Sequence, residues 1–316
     1  DAGYYSSAAA SAQTECALGT YQPDAGQTSC LAVEPGNYSS TPGSTTQTPC
    51  SPGTFSADPG QANCTQAEPG NYVSLDGATS QSPCPPGEYQ NVSGSDGCQQ
   101  APPGQVVGLD GSSTPSPCPP GKYQPEQGST SCREASPGNF VNESGAMGQT
   151  PCQPGTYQPQ SGQAECIPAS AGNYASEEGA TMQTPCSQGT FQSSEGQDSC
   201  TDAMPGHHVP EEGAVSQSSC KPGTYQPEGG QEGCFDASPG NFVSGSGSPS
   251  QTPCQPGTYQ NNQGMVGCKN ADSGNYVPEA GATQQLRCPS GEIQELTGQE
   301  ECKKPERPLW LTFLMF

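Results

Sequence analysis

The cysteines of this chain are Cys16, Cys30, Cys50, Cys64, Cys84, Cys98, Cys118, Cys132, Cys152, Cys166, Cys186, Cys200, Cys220, Cys234, Cys254, Cys268, Cys288 and Cys302, and their spacing alternates 14, 20, 14, 20 without exception. Such self-similarity is the mark of a repeat architecture, and it restricts the fold more than any other feature. The 34-residue period is also that of paired-helix repeats, but Pro-Gly recurs every 17 residues here and would break a helix of useful length. Residues 222–238, PGTYQPEGGQEGCFDAS, align with residues 239–255, PGNFVSGSGSPSQTPCQ, so each repeat is two 17-residue units. Residues 1–306 then form about nine 34-residue repeats, or eighteen units, followed by an apolar tail over 307–316.

Numbering each unit from its Pro-Gly, position 2 is glycine in 17 of 18 copies and position 9 in 17 of 18, with Ala2 and Ala9 of the first unit as the exceptions. Glycine held so strictly points to positive φ or close chain approach, as in a Pro-Gly type II turn at the start of the unit and a second turn at its middle. The segments between the turns, such as Tyr225-Gln226-Pro227 and Gln231-Glu232-Gly233-Cys234, are expected to be two short strands of an irregular hairpin. Position 4 is aromatic in 15 of 18 units, Val106, His208 and Ile293 being the exceptions. A ring at that period could be a stacking ladder for glycans; packing over a disulfide is the commoner use, and it makes these rings the expected core.

Composition explains why cysteine is needed. Leu, Ile, Val and Phe together number 29 of 316 residues, too few for a conventional core, while Gly and Pro number 77. Disulfides stabilise chains of this kind, and they persist in an oxidising compartment, so an extracellular or cell-surface location is expected. The predicted fold class is a small disulfide-rich repeat: an elongated rod of hairpin-like units with short irregular strands and little or no helix.

The unit pattern also chooses the pairing. Half of the units carry Cys at position 13 with a small residue at 16 (Ala67, Ala101, Ala135, Ala169, Ala203, Ala237, Ala271). The others carry Cys at 16 and mostly Gln at 13 (Gln47, Gln81, Gln149, Gln183, Gln217, Gln251, Gln285). If position 16 of one unit bonds position 13 of the next, cysteine is missing in whole pairs, which pairing across the 20-residue gaps does not explain. The expected bridges therefore join consecutive cysteines 14 apart, from Cys16–Cys30 to Cys288–Cys302.

The run CQPGTYQPQSGQAEC at 152–166 resembles the ephrin-receptor-like cysteine-rich repeat and, more distantly, the first half of tumour-necrosis-factor-receptor-type modules. The resemblance covers residues 1 to about 305, although this chain keeps one cysteine where family members usually keep Cys-x-x-Cys. It implies an elongated, disulfide-braced ectodomain with little regular secondary structure and no enzymatic activity.

The chemistry-bearing residues lead the same way. The net charge of −23, with only eight basic residues, disfavours nucleic acid as a partner. The scattered carboxylates make a solvated surface, with divalent-cation bridging as the alternative. The two histidines, His207 and His208, form no metal-ligand or triad pattern, so no catalytic residue, metal or cofactor is expected. Sequons place candidate glycosylation at Asn37, Asn91 and Asn142, with Asn63 disfavoured by its bridged neighbour Cys64, and abundant Ser and Thr permit O-linked glycans. The tail, with Trp310, Phe313 and Phe316, is too short to span a bilayer; it is read as a truncated membrane anchor, an assembly edge or a misread end. The leading functional expectation is a structural stalk or filament subunit that self-associates into fibres or surface arrays. The alternative is a receptor or adhesin ectodomain binding a protein or glycan, for which the deviating stretches around Val106 with Pro115 and around His207-His208 are the only support.

Overall fold

The computed structural model describes residues 1–8 and 10–305. No described residue is helical, and the strands form seventeen two-stranded antiparallel hairpins, one to each of the first seventeen units, the last having the single bridge Ile293–Lys303. In residues 52–68, for example, Thr54 lies opposite Gln66 and Phe55 opposite Thr65. The strands are therefore positions 3–4 and 14–15, two residues each, and not the segments around them that the sequence suggests. In the unit at 222–238 the pairs are Thr224 with Asp236 and Tyr225 with Phe235, so the second strand starts after Cys234. The physical reason lies at each end of the ladder. A turn delivers position 3 into the sheet, and the stretch from position 5 to position 13 spends its polar groups on other partners.

The turn is of the expected kind. Thr54 donates its N–H to Ser51 O at 3.0 Å, with Pro52 and Gly53 between them and Gly53 at φ +86°, as a type II turn requires of its third residue. Position 2 needs glycine for a second reason: at Gly53 an added Cβ would collide with the carbonyl oxygen of Gly94. In the first unit Gly3, not Ala2, fills this place. It has φ +81° and donates to Gln22 O at 2.8 Å, as Gly19 donates to Ser39 O at 2.9 Å. That unit is one residue short, so a fixed 17-residue count placed its glycine one position early.

By its contacts the chain divides into two compact bodies, residues 1–151 with 160–166, and residues 152–159 with those from 167 on. Within the first body each unit is bonded to the next and to the next but one. Gly53 N–H donates to Val73 O at 2.7 Å and Ser56 N–H to Ala78 O at 3.1 Å, both in the following unit, while Gly94 N–H reaches back two units to Ala67 O at 2.8 Å. The second body repeats the pattern: Gly223 donates to Val243 O at 2.8 Å, Gln226 to Ser248 O at 3.1 Å, and Gly230 to Ala203 O at 2.8 Å. A 34-residue step therefore returns the chain onto itself, which gives the doubled period a structural meaning.

The aromatic rings are not the core. Position 4 is only half-buried, as at Tyr38, Tyr72 and Tyr174. The fully buried residues are position 16, occupied by Cys50, Ala67, Cys84 and Ala101 in the first body and by Cys220, Ala237, Cys254 and Ala271 in the second. Position 5 joins them, with Val73, Val107 and Val141 in one body and Val209, Val243 and Val277 in the other. Small side chains fill this interior because the backbones of successive units approach too closely for a ring.

Candidate functional site

The junctions between units are where side-chain chemistry concentrates, and they alternate between two kinds. At the first kind, position 16 of one unit is covalently bonded to position 13 of the next. The bonds are Cys16–Cys30, Cys50–Cys64, Cys84–Cys98, Cys118–Cys132, Cys186–Cys200, Cys220–Cys234, Cys254–Cys268 and Cys288–Cys302. Cys152 and Cys166 are disulfide-bonded too, and no described cysteine is free. The position-16 partners Cys16, Cys50, Cys84 and Cys118 are wholly buried, while their position-13 partners Cys30, Cys64, Cys98 and Cys132 are half-buried, so each bond ties the interior of one unit to the flank of the next.

At the second kind a glutamine amide takes the place of the bond. Gln47 Oε1 accepts the N–H of Glu34 at 2.8 Å, Gln81 that of Glu68 at 2.7 Å, and Gln149 that of Ser136 at 2.8 Å. Gln183, Gln217, Gln251 and Gln285 do the same for Ser170, Met204, Ser238 and Asp272, at 2.6–2.8 Å. In each case the donor follows the small residue that stands where the cysteine partner would be. The glutamine thus gives an exposed backbone donor a partner from the next unit in place of water, linking the two units where no disulfide does.

One junction departs from this rule and explains itself. Position 13 of residues 103–119 is Pro115 instead of glutamine, and the residue whose N–H it would accept is Pro102, which has none. The deviation that could have marked a binding unit is a structural substitution matched across the junction. Val106, in the same unit, pairs with Ser116 like any residue at its position.

A second glutamine series was not identified as functional from the sequence. In units with Cys at position 13, position 5 is mostly glutamine, and its amide closes the hairpin's long connection. Gln90 Nε2 donates to Gly97 O at 2.7 Å while its Oε1 accepts from Val92 N–H at 3.1 Å. Gln124, Gln226, Gln260 and Gln294 donate in the same way to Ser131, Gly233, Gly267 and Glu301. The available signal was the alternation of glutamine with valine at position 5 every 34 residues.

The remaining candidates lie apart from one another. Asn37 is half-buried in the strand Asn37–Tyr38, and the hydroxyl of its sequon serine, Ser39, is buried without a partner. Asn91 and Asn142 are exposed, both at position 6 just past the first strand. His207 and His208 form a strand opposite Ser219 and Ser218, and His208 Nδ1 is buried without a hydrogen bond. No group of His, Cys, Asp or Glu among the described residues could hold a metal ion. Trp310, Phe313 and Phe316 lie outside the described residues. Among those described, no helix is long and apolar enough to cross a membrane.

The family model described as tyrosine-protein kinase ephrin type A/B receptor-like matches residues 3–50, 138–186 and 182–220. No curated protein matches the chain.

Proposed function

Because residues 3–50 and 138–220 are ephrin-receptor-like cysteine-rich repeats, we propose that the chain is a non-catalytic structural protein of the extracellular space, a stalk or filament subunit. Repeats of this family with many disulfides are typical of extracellular proteins, and oxidised cysteine is stable there. The observation that carries the reading is the sameness of the contacts. Unit after unit spends its turn glycine and its position-16 carbonyl on neighbouring units, as at Gly53, Gly223, Ala67 and Ala203, and an active site would need one constellation found once. Self-association is the proposed partner mode, since identical edges repeated along a chain favour regular arrays over a single docking site.

Electron microscopy of the secreted, disulfide-intact chain over a range of concentrations tests this. Ordered polymers support a filament or array subunit. Dispersed single molecules at every concentration overturn self-association and favour the second reading, a receptor-type ectodomain, for which the family's name speaks.

A further inference from the structure

Two ladders of hydroxyl side chains recur every 34 residues, and the structure treats them differently. In units with Cys at position 13, the hydroxyl at position 3 is consumed internally. Thr20, Thr54, Thr156, Thr190, Thr224 and Thr258 each donate Oγ1 to the carbonyl three residues back, at 2.7–2.8 Å. In units with Cys at position 16 a hydroxyl mostly stands at position 14, and in six of them, at Thr48, Ser82, Ser116, Thr150, Thr184 and Thr252, a proline follows it. All six are exposed, and their hydroxyls make no hydrogen bond among the described residues.

Each hydroxyl of the second ladder is followed by proline. Proline keeps the preceding residue extended, and in the structure it also faces the unit two places on. Pro49 Cβ, for instance, lies 3.8 Å from where a Cβ on Gly77 would be. The proline thus lies near the unit two places on, and the hydroxyl before it is exposed. Directly across the hairpin stands the half-buried residue at position 4: Tyr38 opposite Thr48, Phe140 opposite Thr150, Tyr174 opposite Thr184 and Phe242 opposite Thr252. Cross-strand neighbours are close enough for a group attached to one to lie over the other.

We infer that this ladder is a row of O-glycosylation sites, with the sugar linked to the position-14 hydroxyl and its apolar face resting on the ring across the hairpin. An acceptor must be exposed, extended and not already committed as a donor, and these six hydroxyls meet all three conditions, each directly before a proline. The co-substrate class is a nucleotide-activated sugar brought by a transferase. The hydroxyl oxygen forms a bond to the anomeric carbon, the bond from that carbon to the phosphate oxygen breaks with its electron pair going to the nucleotide, and the hydroxyl proton passes to the transferase's base.

The inference rests on the extracellular part of the proposed function, and one experiment separates the two. The full chain is secreted from animal cells, digested, and its glycopeptides are fragmented by electron transfer to locate each sugar. Hexosamine is expected on Thr48, Thr150, Thr184 and Thr252, and none on Thr54, Thr156, Thr190 or Thr224. Bare position-14 hydroxyls on a secreted, fully disulfide-bonded chain, or sugar on the internally bonded threonines instead, overturn this inference alone. A chain retained in the cell with free thiols overturns the extracellular reading and this inference with it.

Discussion

Gly87 and Gly97 lie ten residues apart in one hairpin and show how differently two glycines can be used. Gly87 has φ +87°, and a Cβ there would meet the carbonyl of Gly128, whereas a Cβ on Gly97 would meet nothing within 4 Å. Gly87→Ala should cost at least about 2 kcal/mol, from left-handed strain before the collision is counted. Gly97→Ala should stay within about 0.5 kcal/mol of the parent. Denaturant unfolding of both variants measures the difference. Sequence was enough to mark position 2 as special, because strict glycine has few explanations. It did not show that the approaching backbone comes from two units away, since nothing in a single unit encodes that distance. The aromatic position shows a related limit: a large ring is the natural core candidate in a polar chain, but Tyr38 is only half-buried, and the fully buried places are taken by smaller residues such as Val33 and Cys50.

At the scale of the hairpin and its junctions, the sequence was most legible. Loss of cysteine in matched pairs pointed to bonds 14 apart, and the structure joins Cys50 to Cys64 and Cys84 to Cys98 in that way. The glutamine that stands in for a lost cysteine was visible as a letter but not as an acceptor, because the N–H it serves belongs to the preceding unit. The equivalence of the two junctions can be tested by converting one into the other. The double variant Ala67→Cys/Gln81→Cys should form an additional disulfide, detectable as a linked peptide in an unreduced digest. In the chain-entropy model closing such a loop adds roughly 3 kcal/mol. Two free thiols in the folded double variant would mean that the amide junction is wider than the covalent one.

For the molecule as a whole, the repeating quantum is 34 residues and not 17. Deleting residues 86–119 removes one unit of each kind and leaves Cys84 fourteen positions ahead of Cys132 in the shortened chain. That variant should be secreted fully oxidised. Deleting residues 86–102 removes Cys98 and sets Cys84 against Pro115, so thiol titration of the unfolded product should find one free cysteine. Reduction of the parent should abolish the folded circular-dichroism signature, since the apolar interior consists of little beyond alanine, valine and the cystines themselves. A signature that survives full reduction would assign the stability to the backbone bonds between units.

The disulfide spans also divide the chain into covered and uncovered stretches, which governs what a protease can achieve. A cut between Cys118 and Cys132 leaves both new ends on the same cystine, so the molecule stays in one covalent piece. A cut between Cys98 and Cys118 has no such bridge over it, and only hydrogen bonds and packing then keep the two fragments together. Digestion without reductant should therefore release fragments whose ends map to the twenty-residue intervals, leaving the fourteen-residue ones nicked but whole.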